Sequence, residues 1–294
     1  MAGNVKEKEA CIVFDCMGTL VQPFGIVRGE KLGKISEHIS VKGSVYSRRI
    51  SKTNPISDLL KENPNLILAN LDYAPEKIDQ FDPNLKFKEL AKNKEVPLKI
   101  GLHFSTKLSP RSILNIVSLN ETLTFGAIQE TINYMRKNYP IDLIIGVVLI
   151  IDVDMKNILY LGVVGGKIFP GTYRLMRNLN TKGINIYIAS GDRPESLLKI
   201  ALKLGIQKKN IFGYASPEDK RALIQHLKQK YQYVLMVGND KSDIPALEAA
   251  DLSIVTVQQN VDEQAIKVAD KVISNLSQLM AVIRAFLRST FQVL

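Results

Sequence analysis

Four short segments hold side chains whose types and order could do chemistry together. Asp15 ends the apolar run Cys11-Ile12-Val13-Phe14 in FDCMGTL, and Ser190 ends IYIAS ahead of Gly191-Asp192. Lys220 lies in SPEDKRALI, and Asp243 follows Asn239-Asp240 in MVGNDKSDIPAL. A carboxylate at the end of a buried strand is costly unless something uses it. A carboxylate that attacks a phosphoryl group needs a cation beside it, because two anions repel. Mg²⁺ takes oxygen ligands in octahedral geometry: one or two carboxylates, a carbonyl and waters. Asp15 and Asp243 can supply the carboxylates and the Met17 backbone carbonyl a third ligand. The Ser190 hydroxyl, with neighbouring backbone amides such as that of Gly191, can hold transferring phosphoryl oxygens. Lys220 can neutralise both the phosphoryl group and Asp15. Taken singly, each feature has a plainer explanation: a Ser-Gly-Asp turn, a solvated helix lysine, an acid at a helix start. Their sequential order, each at a strand end or helix start, is what points to a shared site.

The elements that must position them are legible from periodicity. Apolar runs at 185–189, 211–212, 234–237 and 252–255 predict buried strands, and amphipathic patterns predict helices over 194–204, 217–230, 244–250 and 276–287. Strands alternating with helices imply a parallel sheet covered on both faces, with function beyond the carboxyl ends of its strands. The fold class expected is α/β, a three-layer Rossmann-like parallel sheet with an inserted α+β cap domain. Residues 1–21 and 143–294 are assigned to the core domain and 22–142 to the cap. Within the cap, 65–68 and 99–104 read as strands and 124–138 as a helix with Ile128, Ile132 and Met135 on one face. Strands are also expected at 144–151 and 158–164, with a turn at 154–157. Asp152 and Asp154 beside that turn read as solvated strand-end acids. Gly162, Gly165 and Gly166 ahead of Pro170 predict a hinge where the chain re-enters the core.

The chain has 294 residues and a formal net charge of +10, with pI near 9.4. That balance favours anionic partners. The basic residues are scattered, with none of the interleaved patterning that nucleic-acid binding needs, so nucleic acid is not expected. Cys11 and Cys16 have neither redox-motif nor metal-site spacing and read as small buried side chains in a reducing compartment. The opening residues are polar, and the longest uncharged apolar run, 143–151, is too short for a bilayer span of about 20 residues. A soluble, cytoplasmic protein with no membrane partner is the expectation. His103, Lys107 and Arg111 form a basic stretch best explained as a solvated loop, and His38 and His226 read as solvated.

The motif order resembles the haloacid dehalogenase superfamily of aspartyl-nucleophile phosphatases and phosphotransferases. It is most similar to the phosphorylation domain of P-type ATPases and their soluble relatives. FDCMGTL is similar to their DKTGTL, ASGD with its helix to their TGD segment, SPEDK to their Pro-x-x-Lys element, and VGNDKSDIPAL to their GDGxNDxPAL. The resemblance covers residues 11–21 and about 144–275, not the insert. It implies that Asp15 is the nucleophile that becomes aspartyl-phosphate. It also implies that Asp15, the Met17 carbonyl, Asn239 and Asp243 form the Mg²⁺ site, that Ser190 and Lys220 bind the phosphoryl group, and that Thr19 positions the loop. Two departures stand out. Most phosphatases of the superfamily carry a second aspartate two residues after the nucleophile, as acid and base; here that place is Met17. Asn239 stands where an aspartate is usual, keeping an oxygen for a metal-bound water but losing a charge. The resemblance thus implies a Mg²⁺-dependent phosphohydrolase or phosphotransferase of slow turnover, acting on a small phosphorylated metabolite or a nucleotide. The alternative is a catalytically weak protein that recognises a phosphorylated ligand.

Overall fold

The structure is a computed structural model that describes residues 10–29, 35–36, 63–71, 73, 75–90, 100–103, 109–259 and 261–291. The chain divides into two compact units, Met1–Gln22 with Ile168–Leu294, and Pro23–Lys167. The first unit opens with β1 (Ala10–Phe14), all five residues of which are buried. The chain then leaves along β2 (Val21–Gly29) into the second unit.

That unit contains β3 (Ile35–Ser36), β4 (Leu66–Leu71), β5 (Ile100–His103), α1 (Pro110–Leu119), α2 (Phe125–Asn138), β6 (Leu143–Asp152) and β7 (Asn157–Ile168). Its sheet runs β3-β2-β7-β6-β4-β5. Thr124 caps α2 by accepting from the Ala127 amide at 3.2 Å. The face predicted from spacing, Ile128, Ile132 and Met135, is buried in the unit's core, where Phe125 stacks on Phe87 with ring centroids 4.8 Å apart.

Residues 143–167 belong to this unit, which corrects the boundary expected at 143. β6 and β7 form a hairpin, and β6 pairs antiparallel with β4 from Leu66 opposite Asp152 to Leu71 opposite Val147. A long apolar run such as LIIGVVLIID reads equally well as a buried parallel strand, so composition alone cannot assign it to a sheet. Gly162, Gly165 and Gly166 form no hinge either; they lie within β7, opposite Val148, Ile144 and Leu143. A Cβ on Gly165 would meet Met135 Sδ at 2.7 Å, so that glycine serves close packing of α2 on the sheet. Re-entry into the first unit comes later, where the Phe169 amide donates to the Leu20 carbonyl at 3.0 Å. Asp152 caps the hairpin turn, its Oδ1 accepting the amides of Asp154 and Met155 at 2.9 Å each. Of the basic stretch, His103 ends β5 and Arg111 is exposed in α1, while Lys107, like His38, lies outside the described residues; His226 is exposed.

Back in the first unit follow α3 (Thr172–Thr181), β8 (Asn185–Ala189), α4 (Pro194–Leu204), β9 (Ile211–Phe212), α5 (Pro217–Leu227), β10 (Tyr233–Gly238), α6 (Ile244–Ala249), β11 (Leu252–Thr256), α7 (Glu263–Val268), β12 (Lys271–Ile273) and α8 (Leu279–Phe291). The sheet order is β12-β11-β10-β1-β8-β9, and every pairing is parallel. Near-continuous apolar runs such as ACIVF, NIYIA and LSIVT are what a sheet buried on both faces requires. Alternate side chains of β1, Cys11 and Val13, pack in one cluster with Leu223, Leu227 and Leu247 of α5 and α6. Proline in the first turn of α4 and Gly205 at φ +70° after its last turn fix that helix's ends. The helix predicted over 217–230 stops at Leu227, its last residues forming a turn in which Lys230 N donates to Leu227 O. The helix predicted from 276 begins as a 3₁₀ turn, Leu276–Gln278, capped by Asn275, before α8 starts. Among the described residues no helix is long and apolar enough to cross a membrane.

Candidate active site

Register places the predicted residues at one edge of the first unit's sheet. Phe14 of β1 lies level with Val237 of β10 on one side and Ile188 of β8 on the other. Asp15, the Gly238-Asn239 corner and Ser190 therefore leave the carboxyl ends of three neighbouring strands. The Asp15 amide still belongs to the sheet, donating to the Val237 carbonyl at 2.9 Å.

Lys220 reaches this edge from the first turn of α5. Ser216 caps that helix in a capping box with Asp219, its hydroxyl accepting the Asp219 amide at 3.1 Å, and Pro217 fixes the first turn. The Lys220 ammonium donates to Asp15 Oδ1 at 2.8 Å and to Asp243 Oδ1 at 2.7 Å, with Ser242 Oγ at 3.4 Å. Its side chain is 2% exposed, that of Asp243 0% and that of Asp15 8%. The second oxygen of Asp243 accepts the amides of Asn239 at 2.9 Å and Asp240 at 3.1 Å. Gly238 permits this approach, since a Cβ there would lie 2.5 Å from Asp243 Oδ2. Both oxygens of Asp243 are thus hydrogen-bonded, whereas Asp15 Oδ2 takes no part in these bonds.

The electrostatics follow from the count of charges: two buried carboxylates share one ammonium. Burial, and then the neighbouring Asp243 carboxylate, push the Asp15 carboxyl well above its ordinary range despite the pull of Lys220. Burial alone would lower Lys220, but Asp15 and Asp243 outweigh it and hold the ammonium above the usual lysine value. The cluster is one positive charge short, and its two carboxylates are oxygen donors of the kind a hard divalent cation takes. Among the described residues no group of three or more His, Cys, Asp or Glu stands together, so Asp15 and Asp243 are the side chains that could hold Mg²⁺ here.

The loop after Asp15 is a tight turn. Leu20 N and Val21 N both donate to Cys16 O, at 2.8 and 3.0 Å, and Gly18 sits at φ +82°. Met17 is half-buried and bridges to Val21. Thr19 is buried, its hydroxyl donating to Asn239 Oδ1 at 3.0 Å. Ser190 is buried beside them in the sheet order, and its hydroxyl donates to Asp192 Oδ2 at 2.7 Å rather than to the lysine cluster. The segment after β9 braces the Ser190–Asp192 loop: Ala215 N donates to Ser190 O at 3.0 Å and Tyr214 N to Asp192 O at 2.9 Å. The geometry therefore joins Asp15, Lys220 and Asp243 directly, ties Thr19 to Asn239, and leaves Ser190 and Gly191 on the adjoining loop. Sequence reasoning overlooked Asp192, the partner of Ser190, and Gln258, whose Nε2 donates to the Thr19 carbonyl at 2.6 Å. Asp192 was legible in its motif; nothing in the sequence marks Gln258. Both cysteines are free and buried as expected.

The parallel sheet gathers these side chains at its carboxyl edge, and the haloacid dehalogenase-like hydrolase family model matches residues 110–251. That span, just under half the chain, carries Ser190, Lys220, Asn239 and Asp243. Over that span the chain is similar to haloacid dehalogenase-like hydrolases. It is 26% identical over 281 residues to a soluble P-type ATPase-like phosphatase of Methanocaldococcus jannaschii, covering 93% of each chain. A copper-transporting ATPase of Helicobacter pylori is 26% identical over 257 residues, covering 83% of this chain and 29% of that protein, so the chain spans under a third of such transporters. A solved catalytic domain of the CPx-ATPase CopB-B aligns over 96% of this chain and 94% of its own, at 16% identity and a TM-score of 0.46.

Proposed function

We propose that the protein is a Mg²⁺-dependent phosphohydrolase that works through an aspartyl-phosphate on Asp15, with a small phosphorylated metabolite or a nucleotide as substrate. The observation that carries this is the buried Lys220 ammonium held jointly by Asp15 and Asp243, at 2.8 and 2.7 Å. A structural ion pair would need one carboxylate. Two with one lysine leave a charge deficit that a phosphoryl-transfer site fills with a cation.

In this assignment Asp15 Oδ2, the oxygen outside the lysine bonds, attacks phosphorus. The new oxygen–phosphorus bond forms as the ester bond breaks, and the leaving oxygen departs with the electron pair. Lys220 offsets charge on Asp15 and on the phosphoryl oxygens, and Ser190 with the Gly191 amide holds those oxygens. Water then attacks phosphorus, releasing inorganic phosphate and restoring the Asp15 carboxylate. Asp15, the Met17 carbonyl and Asp243 would hold Mg²⁺, which when bound screens the repulsion between carboxylate and phosphate. Met17 can neither protonate the leaving oxygen nor activate the water, so turnover is slow and favours substrates whose leaving group needs little protonation.

Hydrolysis of p-nitrophenyl phosphate with and without Mg²⁺, by the wild type and by Asp15→Asn, tests this. We expect Mg²⁺-dependent release of nitrophenol that Asp15→Asn lowers at least a hundredfold; equal rates would sink the assignment. Met17 and Asn239 favour a second reading, a weakly catalytic protein that binds a phosphorylated ligand. Beryllium fluoride separates the two: Mg²⁺-dependent thermal stabilisation that Asp15→Asn abolishes supports phosphoryl transfer, and no shift in either protein supports binding alone.

A further inference from the structure

Asn239 stands where the motif it resembles has an aspartate, yet its amide is spent on the loop that bears Asp15. Its Oδ1 accepts the Thr19 hydroxyl at 3.0 Å in a fully buried bond. The same amide lies flat against Gly18. A Cβ on that residue would sit 2.8 Å from Asn239 Cγ and 2.9 Å from Oδ1, and closer still to Nδ2. From the next loop along the sheet edge, Gln258 Nε2 donates to the Thr19 carbonyl at 2.6 Å. Both polar ends of Thr19 are thus gripped, one from the corner after β10 and the other from the segment after β11. The Asn239 carbonyl in turn accepts the Asp262 amide at 3.0 Å, which ties the first jaw to the start of α7.

We propose that Asn239 and Gln258 are positioning residues that clamp the turn Cys16–Leu20, and that Asn239 acts through this clamp rather than as a ligand of the cation. The catalytic part of the proposal rests on the Asp15 assignment above; the mechanical part does not. A rigid turn fixes where the Asp15 carboxylate and the Met17 carbonyl point, and misplacing a nucleophile by an ångström costs rate more than binding. Neutrality matters as well. An acid at 239 would add a third carboxylate to a cluster that has one ammonium, whereas an amide grips the turn without deepening the deficit.

Cys16 supplies a readout independent of turnover. It lies within the clamped turn, and Cys11 lies within β1; both are 0% exposed. Alkylation of each thiol by iodoacetamide, followed site by site by mass spectrometry, reports opening of the turn against opening of the sheet. We expect Asn239→Ala and Gln258→Ala each to raise the Cys16 rate at least tenfold and leave Cys11 within twofold. The Mg²⁺ concentration for half-maximal thermal stabilisation should stay within twofold, and kcat should fall about tenfold with KM within twofold. Parallel rises at both thiols would mean general loosening, no rise at Cys16 would mean no clamp, and a tenfold weaker Mg²⁺ response in Asn239→Ala alone would make Asn239 a ligand; each overturns the proposal. If Asp15→Asn were as active as the wild type, the phosphoryl-transfer assignment would fall. The alkylation result would still decide the clamp, because it needs no catalysis.

Discussion

Lys220 faces two carboxylates with one charge, and the consequences can be measured residue by residue. Removing it strands two buried acids, so Lys220→Met is expected to cost about 3–5 kcal/mol in urea unfolding. Asp15→Asn should do the opposite, because it leaves Lys220 and Asp243 as a matched pair. The sign follows from linkage. A carboxyl raised above its unfolded value contributes stability below the ordinary carboxylate range and loses it as pH rises through the folded value. Asp15 is raised by burial and by Asp243, so the stability gap in favour of Asp15→Asn should widen with pH above that ordinary range in the absence of divalent cations. A gap that is constant from pH 4 to pH 8 would count against the charge deficit. The convergence of Asp15, Lys220 and Asp243 was legible in sequence because each sits at a strand end or helix start. The hold on Thr19 from Gln258 was not, since a glutamine in a loop carries no periodicity and its partner is a backbone carbonyl 239 positions away.

At the scale of elements, the site depends on a turn that only glycine fits and on the cap of α5. Gly18 at φ +82° has Asn239 where its side chain would go, so Gly18→Ala combines backbone strain with displacement of an amide and is expected to cost about 2 kcal/mol or more. Ser216→Ala should cost about 1 kcal/mol through the lost cap of α5, and should lower activity by loosening the turn that carries Lys220. Thermal unfolding and nitrophenyl phosphate turnover, measured together, check both. Strands β8 to β11 and the helices α4 and α6 could be read almost to the residue, since continuous apolar runs and amphipathic segments alternate there, whereas α3, α7 and β12 were not read. The hairpin β6–β7 was assigned to the wrong unit. Its strands are apolar enough for either sheet, and only pairing with β4, set by contacts far along the chain, decides where they belong.

Across the whole molecule the formal charge of +10 favours anionic substrates, so kcat/KM for phosphate esters should fall as ionic strength rises from 0.05 to 0.5 M, on the order of the Debye screening that such salt brings. An unchanged value would mean that the surplus charge lies away from the approach to the site. Substrate identity was the least legible property, because no motif in residues 22–142 marks a ligand site. One feature of the first unit reaches beyond function. β1 is hydrogen-bonded on both sides, yet its partners β8 and β10 start at Asn185 and Tyr233. On the ribosome β1 therefore waits, unpaired, while the whole second unit is translated, and its pairing with β10 comes later still. Nascent chains stalled before residue 185 should show β1 amides exchanging freely with solvent, and full protection of β1 should arrive only once β10 has been translated.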